Sequence, residues 1–207
     1  MAGGYLAGTF PSAYVVAKAL GAHSVVEKAS GSASEGDAHV LLAARTGSGP
    51  AAAAIVGDLA KGALVALAAE RAGLPSGLQA ATGVAVVSGH SFPFYARPFA
   101  ARGLTAAAGV TLVLLPAPMV VAGSIILTGK LLGHTGPAST LGFAAVPVVA
   151  AIQRRPKPLV AMGAGILGVI MLRRLVGIHR IATRDGWPRA LYHRLLFDAD
   201  LAADAAA

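Results

Sequence analysis

Residues 51–69 read AAAAIVGDLAKGALVALAA. The run is long enough to cross a hydrocarbon core of about 30 Å as a helix, yet it holds an aspartate and a lysine in its middle. Asp58 and Lys61 are three residues apart and so share one helical face. Inside a bilayer each charge is costly unless it is paired or faces a polar cavity. The stretch therefore predicts a membrane helix whose two charges either pair with each other or face a polar cavity.

The rest of the chain agrees with that environment. Of 207 residues, 56% are hydrophobic and 13% charged, with mean hydropathy +0.69, too apolar for an ordinary soluble domain. Similar runs at 4–21, 77–95, 104–115, 117–133, 137–152 and 159–176 are bounded by Pro, Gly or charge. Strict period-2 alternation is missing, which argues against a barrel. The expected fold is an all-α, polytopic integral membrane protein of about seven transmembrane helices. Residues 104–133 are read as two spans because Pro116-Ala117-Pro118 removes backbone donors and disfavours helix before each proline. The first run lacks a basic leading region and is read as a retained span. Cysteine is absent, so disulfides, a thiolate nucleophile and a cysteine metal site are excluded.

Seven spans place the 22–50 loop, the 96–103 loop, Lys130 and the tail from Arg173 on one side, with the larger share of lysine and arginine. That side is expected to be cytoplasmic, with Arg154, Arg155 and Lys157 a local violation. A six-span path would separate the basic tail from both loops. Formal net charge +8 suits anionic lipid headgroups. Nucleic acid is not an expected partner, since the basic residues flank spans instead of lining one soluble face.

Three polar islands fall on that side. The first, around 28–39, is rich in Gly and Ser. Its backbone N–H groups suit an anion-binding nest, whereas Glu35 and Asp37 and its small-residue composition equally suit a solvated connector. The second is GHSFPFYARPFAARG, residues 89–103. Arg97 and Arg102 can clamp an oxyanion, and Gly103 precedes an apolar run that offers a helix N-terminus. His90 reads as a proton shuttle or as a hydrogen-bonded interfacial histidine, and Phe92, Phe94 and Tyr95 as an interfacial belt. The third is Arg173-Arg174 with His179 and Arg180, which anchoring at the membrane exit would explain without chemistry. The aromatic, basic tail after Ile181 is read as an interfacial helix or a disordered end.

In this order the islands resemble the PlsY family of bacterial acyl-phosphate:glycerol-3-phosphate acyltransferases, from about Gly4 to Ile181. GYLAGTFPSAY is similar to the family's Y-L-x-G-S-x-P-x-A-Y, and DLAKG at 58–62 to its D-x-x-K-G. SGSASEGDAHVLL at 30–42 keeps Ser30, Gly31, Ser32, Gly36, Val40 and Leu41 of S-G-S-G-N-x-G-A-T-N-V-L-R. GHSFP and RPFAARGLTA keep Gly89, His90, Phe92, Pro93 and Gly103, with Arg102 for one lysine, Phe99 for the other, and Ala100 and Ala101 for two glycines. LRRLVGIHRI keeps Leu172, Arg173, Ile178 and Arg180 of L-R-H-x-x-N-I-x-R-L, with Arg174 for the histidine and Gly177 for the asparagine.

The resemblance implies transfer of a fatty acyl group from an acyl phosphate to glycerol 3-phosphate or a related acceptor, without metal or coenzyme, in a bacterial plasma membrane with motif loops and C-terminus cytoplasmic. It implies catalytic roles for Ser32, His90 and Arg102. Substrate contacts fall to Gly31, Lys61, Gly103, Arg173 and Arg180, with structural support from Asp58. Residues 1–181 would form the transmembrane acyltransferase domain and 182–207 a basic cytoplasmic tail. The lost glycines, lysine, histidine and asparagines keep a second expectation open: a catalytically degenerate PlsY-like subunit that binds lipid or scaffolds a partner membrane protein. A transporter is disfavoured, because no internal repeat is evident.

Overall fold

The computed structural model describes residues 1–22, 42–44, 46–95, 102–176 and 178–197, and the regular structure among them is helical. The helices are α1 (Ala2–Gly8), α2 (Ser12–Ala19), α3 (Ser48–Arg71), α4 (Ser76–Ser91), α5 (Leu104–Leu114), α6 (Pro116–Leu131), α7 (Thr135–Ile152), α8 (Lys157–Leu175), α9 (Ile178–Asp185) and α10 (Trp187–Tyr192). A π-type turn, His193–Phe197, follows α10. Of these, α3, α7 and α8 are long and apolar enough to cross a membrane, while α5 and α6 are shorter apolar helices.

Proline explains most of the departures from the expected spans. The run expected as one span over 4–21 is broken between α1 and α2, because Pro11 has no N–H and disfavours helix at Phe10. The run expected to reach residue 95 stops at Ser91, two residues before Pro93. The expected break before Pro116 occurs, and it has a consequence: Pro118 cannot donate to the Leu114 carbonyl four residues earlier. Arg155 Nη2 donates to that carbonyl instead, at 2.9 Å. The basic residue that violates the charge rule thus satisfies a backbone group freed by proline.

Helix α4 sits near the middle, packed on α1, α3 and α8, while α3 packs on α5 and α2, and α7 bridges α6 and α8. The contacts are built on small residues. A Cβ on Gly89 would collide with the Tyr5 carbonyl oxygen, and one on Gly62 with that of Ala106. Such close backbone approach is how membrane helices associate, since lipid removes the hydrophobic drive between them and leaves van der Waals packing. Around these seams Val86, Val87, Val110, Leu115, Phe143, Met162, Ile166 and Ile170 form the main core. Larger side chains point outward instead: Leu64, Val120, Leu141, Ile152 and Leu172 are exposed. An apolar exterior of this kind fits lipid as the surrounding solvent.

The same contacts sort the ends of the bundle. Arg155 reaching Leu114 places the 114–116 break and the 153–156 turn together at one end. Helix α5 starts at the other end, beside Ser91 at the close of α4. Helix α8 begins where α5 finishes, so its C-terminus with Arg173 and Arg174 lies at the end that holds His90, Arg102 and Gly103. Two of the three polar islands therefore share one end of the bundle.

Candidate active site

The centre of that end is the ion pair in α3. Asp58 Oδ1 lies 2.8 Å from Lys61 Nζ and 3.8 Å from His90 Nδ1. Asp58 and His90 are buried, at 5% and 6% exposure. The histidine distance is too long for a hydrogen bond, so His90 stands beside the pair instead of belonging to it. Helical spacing puts Asp58 and Lys61 on one face, and the antiparallel packing of α4 on α3 brings His90 to that face.

Lys61 also donates to the Phe10 carbonyl at 2.8 Å. Pro11 opens the helix at this point, and two other side chains tie the opening to the segment after α4. The Tyr95 hydroxyl donates to the Thr9 carbonyl, and the Tyr5 hydroxyl donates to the Phe92 carbonyl at 2.7 Å. The result is a clasp between α1, α3 and the start of the second polar island. Tyr95, expected as part of an aromatic belt, also forms one arm of this clasp, and both it and Phe94 are exposed.

At the entry to α5, Gly103 adopts φ +83°, a left-handed conformation that glycine accepts without penalty. A Cβ there would also collide with Ser91 Oγ, which is buried and has no hydrogen-bond partner among the described residues. Gly103 is the N-cap of α5, so the unpaired N–H groups of the first turn lie directly after Arg102. Arg102 is partly exposed. Arg173 is buried at the last turn of α8.

Arg174 behaves differently from its neighbour. It is 1% exposed and donates to Ser139 Oγ (2.8 Å), Thr140 Oγ1 and the Gly136 carbonyl (3.4 Å) of α7, and to the Leu195 carbonyl (2.7 Å). The side chain in the third motif's histidine position is thus committed to holding α7 and the C-terminal turn. Among the remaining candidates, Arg180 lies on α9, and Gly31 and Ser32 lie outside the described residues, as does the 96–101 segment. Among the described residues no cluster of three or more His, Asp or Glu is placed to hold a metal ion.

The profile of the glycerol-3-phosphate acyltransferase family matches residues 1–184. The chain belongs to that family, the PlsY family. Glycerol-3-phosphate acyltransferase 4 of Dehalococcoides mccartyi (strain CBDB1) is 28% identical over 205 residues, covering 96% of this chain and 87% of the relative. Glycerol-3-phosphate acyltransferase of Pseudomonas putida (strain GB-1) is 33% identical over 184 residues, covering 87% and 90%. In three dimensions the chain is similar to crystal structures of PlsY, an integral membrane glycerol 3-phosphate acyltransferase. For the lysophosphatidic acid form the TM-score is 0.71 at 22% identity, covering 87% of this chain and 88% of that one. For the glycerol 3-phosphate form it is 0.69 at 21%. This PlsY-family chain therefore has the expected all-helical integral membrane fold.

Sequence reasoning singled out Asp58, Lys61, His90, Arg102, Gly103 and Arg173, and all lie at one end of the PlsY-type bundle. It gave no role to Tyr5 or to the Thr9 and Phe10 carbonyls. The available signal was Pro11, whose missing N–H marks a place where backbone carbonyls need other donors.

Proposed function

We propose that this chain is a membrane acyltransferase of phospholipid synthesis that transfers a fatty acyl group from acyl phosphate to glycerol 3-phosphate. The observation that carries the reading is the gathering of the buried Asp58–Lys61 pair, His90, the Arg102–Gly103 entry to α5 and Arg173 at one end of a bundle of this family.

In the proposed reaction the 1-hydroxyl oxygen of glycerol 3-phosphate bonds to the acyl carbon. The bond from that carbon to the phosphate oxygen breaks with its electron pair, and the hydroxyl proton leaves on the released phosphate. Positioning and electrostatic stabilisation supply most of the rate. Arg102 and Arg173 hold phosphate through charge-assisted hydrogen bonds, backed by the α5 N-terminus at Gly103. Gly31 and Ser32 contact the acyl phosphate, and Arg180 completes the phosphate contacts. His90 orients the second loop. Lys61 has three N–H donors, of which Asp58 and Phe10 engage two, so the third is assigned to substrate.

The proposed setting is a bacterial plasma membrane crossed about seven times, with the motif end and C-terminus cytoplasmic, following the positive-inside bias. Residues 1–181 form the acyltransferase domain and 182–207 the tail. Purified protein in lipid nanodiscs, given acyl phosphate and glycerol 3-phosphate, is expected to make lysophosphatidate. No product above a Ser32→Ala plus Arg102→Ala control would overturn the reading, and stable co-purification of an inactive chain with another membrane protein would favour a scaffolding subunit.

A further inference from the structure

Beyond the acyltransfer site, the segment after α9 has two faces of different character. Inward, Ala190 is fully buried and packs in a small core with Ile178, Ala182 and Leu175. Arg194 is 5% exposed, and the Leu195 carbonyl accepts from Arg174. Outward, Trp187 and Tyr192 are more than half exposed, at 54% and 53%, and Leu191 and Leu196 are exposed beside them. Arg189 is exposed on the same short helix.

This outward face meets the bundle at the end where α8 finishes. Leu131, Leu132 and Leu172, at that same end, are also exposed apolar residues of the lipid-facing exterior. Arg189 supplies the exposed positive charge of this face, whereas Arg194 is buried on the inward side. Aromatic side chains with a polar edge, aliphatic neighbours and an exposed arginine match the headgroup layer of an anionic leaflet, where indole and phenol rings straddle apolar and polar surroundings.

We propose that residues 187–196 dock onto an anionic phospholipid leaflet, seating Trp187, Leu191, Tyr192 and Leu196 among headgroups and upper acyl carbons. Arg174 clasps the segment from the protein side. The side chain that replaces the family's histidine therefore fixes a membrane-contacting strap.

Trp187 is the only tryptophan in the chain, so emission excited at the red edge, where the four tyrosines do not absorb, reads this position alone. The protein is placed in nanodiscs with a tryptophan-free belt, made of phosphatidylcholine with or without phosphatidylglycerol, using lipids brominated near the top of the acyl chain and, separately, aqueous iodide. The expected result is blue-shifted emission, quenching by brominated lipid and protection from iodide, each stronger with phosphatidylglycerol. Arg189→Glu is expected to remove the phosphatidylglycerol dependence while leaving the helical circular dichroism unchanged. Full iodide quenching without an effect of brominated lipid would overturn the proposal, as would protection from both quenchers or responses identical in the two lipid compositions. The readout involves no turnover, so its failure is separate from failure of the acyltransferase reading.

Discussion

Lys61 Nζ donates to the Phe10 carbonyl at 2.8 Å and pairs with Asp58 Oδ1 at the same distance. One ammonium therefore neutralises a buried carboxylate and satisfies a carbonyl at the helix break before Pro11. Lys61→Met would leave Asp58 buried without this cation, a change that costs about 3–5 kcal/mol in comparable pairs. Thermal unfolding in detergent is expected to show a large loss for Lys61→Met and a smaller one for Lys61→Met with Asp58→Asn. Measuring Asp58→Asn alone closes the cycle, and a double-variant loss equal to the sum of the two single losses would show that the pair is not coupled.

The seam between α1 and α4 depends on Gly89 lying against the backbone of Tyr5. Gly89→Ala is expected to destabilise by about 1–3 kcal/mol through overpacking. Gly168, inside α8, has nothing within 4 Å of the place a Cβ would take, so Gly168→Ala should not destabilise and is expected to gain up to about 1 kcal/mol from helix propensity. Melting temperatures of the two variants under identical conditions check the contrast.

Arg155 supplies the Leu114 carbonyl with the donor that Pro118 lacks. Arg155→Met should cost about 1–3 kcal/mol, the penalty of an unsatisfied polar group. Hydrogen exchange at residues 110–122 should rise in this variant. Unchanged exchange would indicate that another donor reaches the carbonyl.

Arg174 holds Ser139, Thr140 and the Leu195 carbonyl together. Restoring the family's residue with Arg174→His removes most of these hydrogen bonds, so it is expected to loosen the chain around the already exposed Arg189 and make it a site of limited trypsin cleavage. Loss of the uncleaved C-terminal segment over time measures this, and cleavage at the wild-type rate would contradict the role given to Arg174.

The parts legible in the sequence were those set by local rules. The spacing of Asp58 and Lys61 placed both charges on one face, and Pro116 with Pro118 marked the break between α5 and α6. Gly103 was recognisable as a helix entry because it precedes an unbroken apolar run. Long-range acceptors were not legible. Backbone carbonyls carry no residue signature, so the engagement of Phe10 by Lys61 and of Leu114 by Arg155 depends on how distant helices meet. Arg174 was misleading for a related reason: beside Arg173 it reads as one of two equivalent anchors, but adjacent residues on a helix point in different directions. Arg174 faces α7 and the C-terminal turn.

Under the proposed function, this end of the bundle holds the phosphate of glycerol 3-phosphate with Phe99, Ala100 and Ala101 where the resembling motif has a lysine and glycines. The direct measurement is the initial rate of lysophosphatidate formation as a function of glycerol 3-phosphate concentration, for wild type and Arg102→Ala. Saturation is expected in the wild type, with a KM raised about ten- to a hundredfold in the variant, the effect of losing one charge-assisted hydrogen bond. A wild-type rate that does not saturate, or a KM unchanged by Arg102→Ala, would contradict this phosphate-holding role.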